Sequence, residues 1–141
     1  MIYIGNDHGG TKLKFAVVKH LTKNKIEFVD LGAKDDTPGN HAEYAGSVVT
    51  EVLKSPGNKG ILICGSGIGM SIAVNRKKGI RGALCSSVNV ARLAREHNDA
   101  NILVLAGRLT KEREAIKITD VFFNTGFLGG KYADRIKLYD K

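Results

Sequence analysis

The chain has 141 residues, 43% of them hydrophobic and 26% charged, with 17 glycines and only 2 prolines. That length and apolar content fill one hydrophobic core and leave no room for a second catalytic domain. They exclude disordered and collagen-like chains and fit a folded α/β domain with many tight turns. Lys and Arg outnumber Asp and Glu by 22 to 14, a net charge of +8, which favours anionic partners: phosphorylated metabolites, nucleic acid or an acidic membrane surface. No apolar run approaches the length of a membrane span, and Met1 to Gly5 enters a strand-like run without a basic leader, so the expected setting is soluble and cytoplasmic. Cys64 and Cys85 are too far apart for a CxxC pair; with no disulfide framework, a special cysteine here is chemical rather than structural.

The elements follow in alternation. Met1 to Ile4 reads as a strand, and Lys12 to Lys23 as a helix, with Leu13, Val17 and Leu21 spaced by four. Ile26 to Leu31 is a second strand, Ala42 to Lys54 a helix, Gly60 to Cys64 a third strand, and Ile68 to Arg76 a short helix after a glycine-rich turn. Arg81 to Cys85 and Ile102 to Ala106 are strands four and five around a helix from Asn89 to Glu96, and helices follow over Lys111 to Asn124 and Tyr132 to Tyr139. Ala33 to Asn40 is the longest loop, and there is no repeat or linker. Five strands alternating with helices predict a single-domain, Rossmann-like three-layer sandwich around a five-stranded parallel sheet, because parallel neighbours need crossover connections.

In such open sheets ligands bind outside the carboxyl ends of the strands. The first strand leads into Gly5-Asn6-Asp7-His8-Gly9-Gly10, which presents an acid and an imidazole there. Asp7 either accepts ligand hydroxyls or only caps the next helix; His8 either contacts an anion or is merely exposed. The third strand ends in Cys64-Gly65-Ser66-Gly67-Ile68-Gly69-Met70. Successive N–H groups of such a turn, entering a helix, suit an anion or a charge formed during reaction, and a thiol there is open to activation. Cys64 is equally readable as a small buried strand-end residue. The turn lacks the Gly-Lys-Ser/Thr of a phosphate loop, the dinucleotide fingerprint and the nucleophile elbow. His97 and Asn98 lie in a polar cluster closing a helix, where a histidine is also simply a dipole partner. Arg108, Lys131 and Arg135 are either a phosphate clamp or a solvated face. Cys85 is assigned to packing, and His20 and His41 to the surface.

Taken together, the Asp7-His8 segment, the block Gly60 to Ala73, Gly79-Ile80-Arg81, the block Ala91 to Asn101 and Gly129-Gly130 resemble the type B ribose-5-phosphate isomerases, a group that includes galactose-6-phosphate isomerase subunits. The resemblance implies interconversion of a phosphorylated aldose and its ketose, with no metal and no cofactor, residues 1–141 forming one isomerase domain. It implies Cys64 as the base at C2, His97 in ring opening and Ser66 with the amides of Gly65, Gly67, Ile68 and Gly69 stabilising an enediolate. Asp7 and Asn98 then hold sugar oxygens, while His8, Arg108, Lys131 and Arg135 hold the phosphate. It also implies a homodimer or homotetramer with shared active sites, Cys64 and His97 coming from different chains or meeting at their border, and the C-terminal helix at the subunit interface. Relatives usually carry Asp-Tyr-Pro where this chain has Asn40-His41-Ala42, Pro-Tyr at Val88-Asn89, Thr at Ser66, Arg at Lys131 and His at Tyr132. These departures leave another phosphosugar open as substrate, allose, galactose or a tetrulose phosphate among them. A binding protein without turnover, a nucleic-acid binder and a metal site of Asp7, His8, Cys64 and His97 are the readings from other classes. With 6% aromatic residues and no binding motif, neither a nucleic acid nor a membrane is the expected partner.

Overall fold

The computed structural model describes residues 1–141. Its strands are β1 (Ile2–Asn6), β2 (Phe28–Asp30), β3 (Lys59–Cys64), β4 (Gly82–Leu84) and β5 (Ile102–Ala106). The helices are α1 (Thr11–Lys23), α2 (His41–Val52), α3 (Ile68–Val74), α4 (Val88–Asn98), α5 (Glu112–Asn124) and α6 (Lys131–Ile136), and a 3-10 turn over His8–Gly10 leads into α1. All strands pair in parallel in the order β2-β1-β3-β5-β4, the five-stranded parallel sheet the alternation predicts.

Side chains alternate across the two central strands, so each feeds both layers of core. Ile61, Ile63, Leu103 and Leu105 face α1, α4 and α5, where they meet Leu13, Val17 and Leu21, Ala91 and Ala94, and Ala115, Ile118 and Phe122. Leu62, Cys64, Ile102 and Val104 face α2 and α3, against Val48, Val52, Met70 and Val74. The i, i+4 spacing of Leu13, Val17 and Leu21 in α1 forms one stripe, and all three are buried.

Boundaries differ from the sequence expectation where long-range contacts decide them. The first strand continues to Asn6, since Gly5 and Asn6 still pair with Leu62 and Ile63. The second is only three residues long: Lys25 takes a left-handed turn at φ 57°, the Ile26 amide returns to the Leu21 carbonyl, and β2 is an edge paired on one side. The fourth, at the other edge, shrinks to Gly82–Leu84. α2 starts at His41 because the Asn40 side chain accepts from the Ala42 amide at 2.9 Å. α3 stops at Val74, after which the Asn75 carboxamide brackets both backbone groups of Gly82 at 2.8 and 2.9 Å. α4 starts at Val88, capped by Ser87 on the Val90 amide at 3.2 Å. α6 ends at Ile136, and Leu138 and Tyr139 turn back by three-residue bonds to Arg135 and Ile136. No helix is long and apolar enough to cross a membrane.

Candidate active site

Two neighbouring strands of this sheet send their helices to opposite faces: β1 continues into α1 on one side and β3 into α3 on the other, which opens a crevice at their carboxyl ends. Three turns close on one another there. A Cβ on Gly9 would lie 2.8 Å from the Gly65 amide nitrogen, and one on Gly107 would lie 2.7 Å from the Gly9 carbonyl oxygen, so backbone meets backbone only because these residues have no side chain. The Gly107 amide donates to the Cys64 carbonyl at 2.7 Å and the Arg108 amide to the Gly65 carbonyl at 2.9 Å.

Asp7 is buried at 7% exposure. One carboxylate oxygen caps the 3-10 turn by accepting from the Gly9 amide at 2.9 Å, which leaves the other for a ligand, so the capping and binding readings coexist. Asn6 donates to the Asp7 carbonyl and to Thr11 Oγ1, and Thr11 donates to the Asp35 carbonyl at 3.0 Å, tying the Asp7 turn to the long loop. Beneath that loop the fully buried Lys14 pairs with Asp30 at 2.8 Å and donates to the Ala33 carbonyl at 2.7 Å. From the same loop, the Gly39 amide donates to His8 Nδ1 at 3.4 Å. In neutral imidazole that leaves Nε2 as the proton-bearing nitrogen, a donor suited to an anion.

Cys64 ends β3 at 5% exposure, on the α2/α3 face. In the turn behind it Gly67 adopts φ 76° and Leu84 occupies the space a side chain would need, so glycine is required twice over. Ser66 Oγ accepts from the Ile68 amide at 3.2 Å, which occupies that donor. The amides of Gly65, Ser66, Gly67 and Gly69 find no acceptor within the chain and remain for a ligand. The Arg108 guanidinium lies over Gly65, its Nη1 3.2 Å from where a Cβ would be. Beside Ser66 and Ile68 a largely apolar cavity of about 520 Å³ extends over Leu84 and Cys85. Cys85 is fully buried, and burial pushes its thiol up to about 12, in keeping with its assignment to packing.

The structure separates the other half of the expected site. α4 runs antiparallel to the strands, so His97 and Asn98 lie at the amino edge of the sheet, about 16 Å away along a five-residue strand. There Asp99 ends the helix at φ 46°, with the Ala100 amide returning to the Ala94 carbonyl. Arg95 at 2.8 Å and Arg81 at 3.1 Å hold the Asp99 carboxylate, which fixes an unusual conformation for a non-glycine residue. The His97 ring stacks on Tyr132, and Lys131 and Arg135 of α6 lie over the same tyrosine ring. Asn98 donates to the Tyr139 hydroxyl at 2.7 Å and borders a cavity of about 410 Å³.

Asp7, His8, Cys64, Gly65, Ser66, Gly67, Ile68, Gly69 and Arg108 thus share one edge, while His97, Asn98, Lys131 and Arg135 share the other. No three His, Cys, Asp or Glu side chains converge in the chain, and the metal quartet of Asp7, His8, Cys64 and His97 is split between the edges. Two histidines assigned to the surface are placed otherwise. His20 pairs with Asp120 at 2.7 Å, half-buried between α1 and α5. His41 lies against the glycine turn, its Nε2 2.8 Å from where a Cβ on Gly69 would be. Its place just beyond the Asn40 cap, at the helix start reached by the loop that leaves a strand's carboxyl end, was the available sequence signal.

The structure defines an α/β protein with an open parallel sheet and a cysteine-tipped, glycine-built turn at its carboxyl edge. A profile of the Ribose/Galactose Isomerase family matches residues 2–138, and the chain belongs to that family. It is 41% identical over 136 residues to the Mycoplasma pneumoniae protein named "Probable ribose-5-phosphate isomerase B", covering 96% of this chain and 90% of that one. The crystal structure of a ribose 5-phosphate isomerase from Thermotoga maritima is similar at a TM-score of 0.96 and 45% identity, covering 99% of this chain and 96% of that one. The Mycoplasma genitalium ribose-5-phosphate isomerase B, solved with bound ribulose-5-phosphate, is similar at 0.92 and 39%, covering 96% of this chain and 91% of that one.

Proposed function

We propose that this protein is a metal-free aldose-ketose isomerase acting on ribose 5-phosphate and ribulose 5-phosphate, and that each active site joins the carboxyl edge of one chain to the amino edge of another. The observation that carries this reading is the cysteine-glycine turn, with four unpaired amides around Cys64 in a member of this family. The ribulose-5-phosphate bound to the Mycoplasma genitalium relative supports the substrate.

His97 of a second copy moves the proton from the anomeric hydroxyl to the ring oxygen and frees the aldehyde. Cys64, as thiolate, removes the C2 proton; the C–H electrons form the C1=C2 bond and the charge moves to O1 as an enediolate. The amides of Gly65, Ser66, Gly67 and Gly69 meet that charge where it develops. After a proton passes between the enediolate oxygens, the Cys64 thiol returns its proton to C1 and the ketone forms at C2. Asp7 and the second copy's Asn98 hold sugar hydroxyls. His8 and Arg108 hold the phosphate together with Lys131 and Arg135 of that second copy.

The surfaces support a two-fold arrangement. On α3, beside the glycine turn, Ile68 and Ile72 are 54% and 60% exposed, and next to α6 Leu128 and Leu138 are 61% and 62% exposed. A symmetric dimer, in which each α6 reaches the partner's carboxyl edge, covers both patches with one self-complementary interface. Residues 1–141 act as one catalytic domain.

The test is an NMR assay of the purified protein with EDTA, offering ribose 5-phosphate, allose 6-phosphate and galactose 6-phosphate separately in D₂O. The expected result is conversion of ribose 5-phosphate above the others, unaffected by chelation. Turnover of a hexose alone keeps the mechanism and moves the substrate. Binding of ribose 5-phosphate without conversion of any sugar sinks the enzymatic reading.

A further inference from the structure

Catalytic imidazoles are ordinarily oriented by a hydrogen bond from the ring nitrogen that does not react. His97 has none within its own chain, and its ring is instead stacked on Tyr132. The two rings are parallel to within 10°, with centroids 4.3 Å apart, so the imidazole lies flat on the phenol ring and keeps both nitrogens at its rim. Lys131 Nζ and Arg135 Cζ stand 5.3 and 5.6 Å from the same ring centroid, within the range in which a cation is drawn to an aromatic face. The Tyr132 hydroxyl has no hydrogen-bond partner, so the ring face rather than the oxygen makes these contacts. The platform is anchored to α4 by the Leu128 amide, which donates to the Glu96 carbonyl one residue before His97, and by Asn98 on the Tyr139 hydroxyl.

We propose that Tyr132 is the positioning residue of His97: its ring fixes the imidazole plane so that one nitrogen faces the anomeric hydroxyl and the ring oxygen of the sugar. The proposal rests on the isomerase reading above. It is specific to ring opening, because Cys64 and its amides come from the other edge of the sheet and have no contact with Tyr132 in the chain that supplies them.

The chemistry separates the two steps. Ribulose 5-phosphate has its C5 oxygen esterified, so it cannot close a five-membered ring and enters the site already open. Exchange of its C1 hydrogen with D₂O therefore needs the Cys64 step and not His97. Conversion of ribose 5-phosphate needs both. For Tyr132→Leu, which keeps apolar bulk and removes the flat face, the expected result is a fall of about tenfold in conversion of ribose 5-phosphate. Deuterium uptake at C1 of ribulose 5-phosphate should stay within about twofold of wild type. Tyr132→Phe and Tyr132→His, which retain a planar ring, should hold both rates near wild type. α6 buries no residue, so these variants leave the core intact. Equal losses in both reactions would show a merely structural effect and overturn the proposal, as would an unchanged conversion rate in Tyr132→Leu. A wild-type protein that exchanges and converts neither compound overturns the isomerase reading, and this inference with it.

Discussion

The two edges of the sheet prepare chemistry by different means. At the carboxyl edge the working parts are backbone: amides held outward by Gly65, Gly67 and Gly69, which side chains at Gly9, Gly67 and Gly107 would disrupt. At the amino edge they are side chains on helix ends, where His97 lies on Tyr132 and Asn98 is held by Tyr139. Backbone donors need no reorganisation as charge develops, which suits the enediolate. Proton transfer in ring opening needs a group that can both accept and give a proton from a fixed direction, which suits an imidazole held flat on an aromatic platform. One chain carries the two groups of residues about 16 Å apart along the strands, so the proposed site needs a second copy to bring them together.

The sharpest way to break this comparison is to disable one edge at a time. Cys64→Ala should lower kcat by about a thousandfold while ribose 5-phosphate binding, followed by ³¹P NMR, changes less than about threefold. His97→Ala should also be impaired, yet an exchanged equimolar mixture of the two variants should recover about a quarter of wild-type activity. Half the dimers are then mixed, and each of those has one site with both groups intact. No recovery on mixing would place both residues' work within a single chain.

A smaller effect sharpens the division of the phosphate between the edges. Arg135→Ala should raise KM by about tenfold with kcat nearly unchanged, as expected for losing one charged contact made equally in the ground and transition states. An equal loss in kcat would move Arg135 from binding to catalysis.

Within the carboxyl edge, the second cysteine supplies a control. Burial raises the Cys85 thiol to about 12, whereas unfolding returns it to the ordinary thiol range. Between those values the unfolded chain binds fewer protons than the folded one, so wild-type stability falls as pH rises, by about 1.4 kcal/mol per unit from this group. Cys85→Ala should flatten that alkaline decline in urea unfolding curves without altering activity at neutral pH. An unchanged pH slope would remove burial of the thiol as its cause.

The sheet was legible because its signals are local: Leu13, Val17 and Leu21 recur at helical spacing, and short apolar runs stand between them. The Cys64 to Gly69 turn was legible for the same reason, since a run of glycines at a strand end has few structural uses. The place of His41 was missed because it is set by Gly69, which is distant in sequence, and that of Tyr132 against His97 because a lone aromatic residue on a short exposed helix has no periodicity to mark it. The strand limits at Lys25 and Leu84 were set by edge position, which no local pattern carries.

By itself, then, the sequence determined the alternation of strands and helices, the anion turn and its cysteine, and the resemblance to the sugar-phosphate isomerases. Those features depend on interactions spanning a few residues, namely helical stripes, side-chain caps and glycine's access to positive φ. Only the tertiary structure decided the order β2-β1-β3-β5-β4, the separation of Cys64 from His97, and the meetings of His41 with Gly69 and of His97 with Tyr132. These follow from which apolar faces cover one another across the sheet, a choice made by the packing of the whole core.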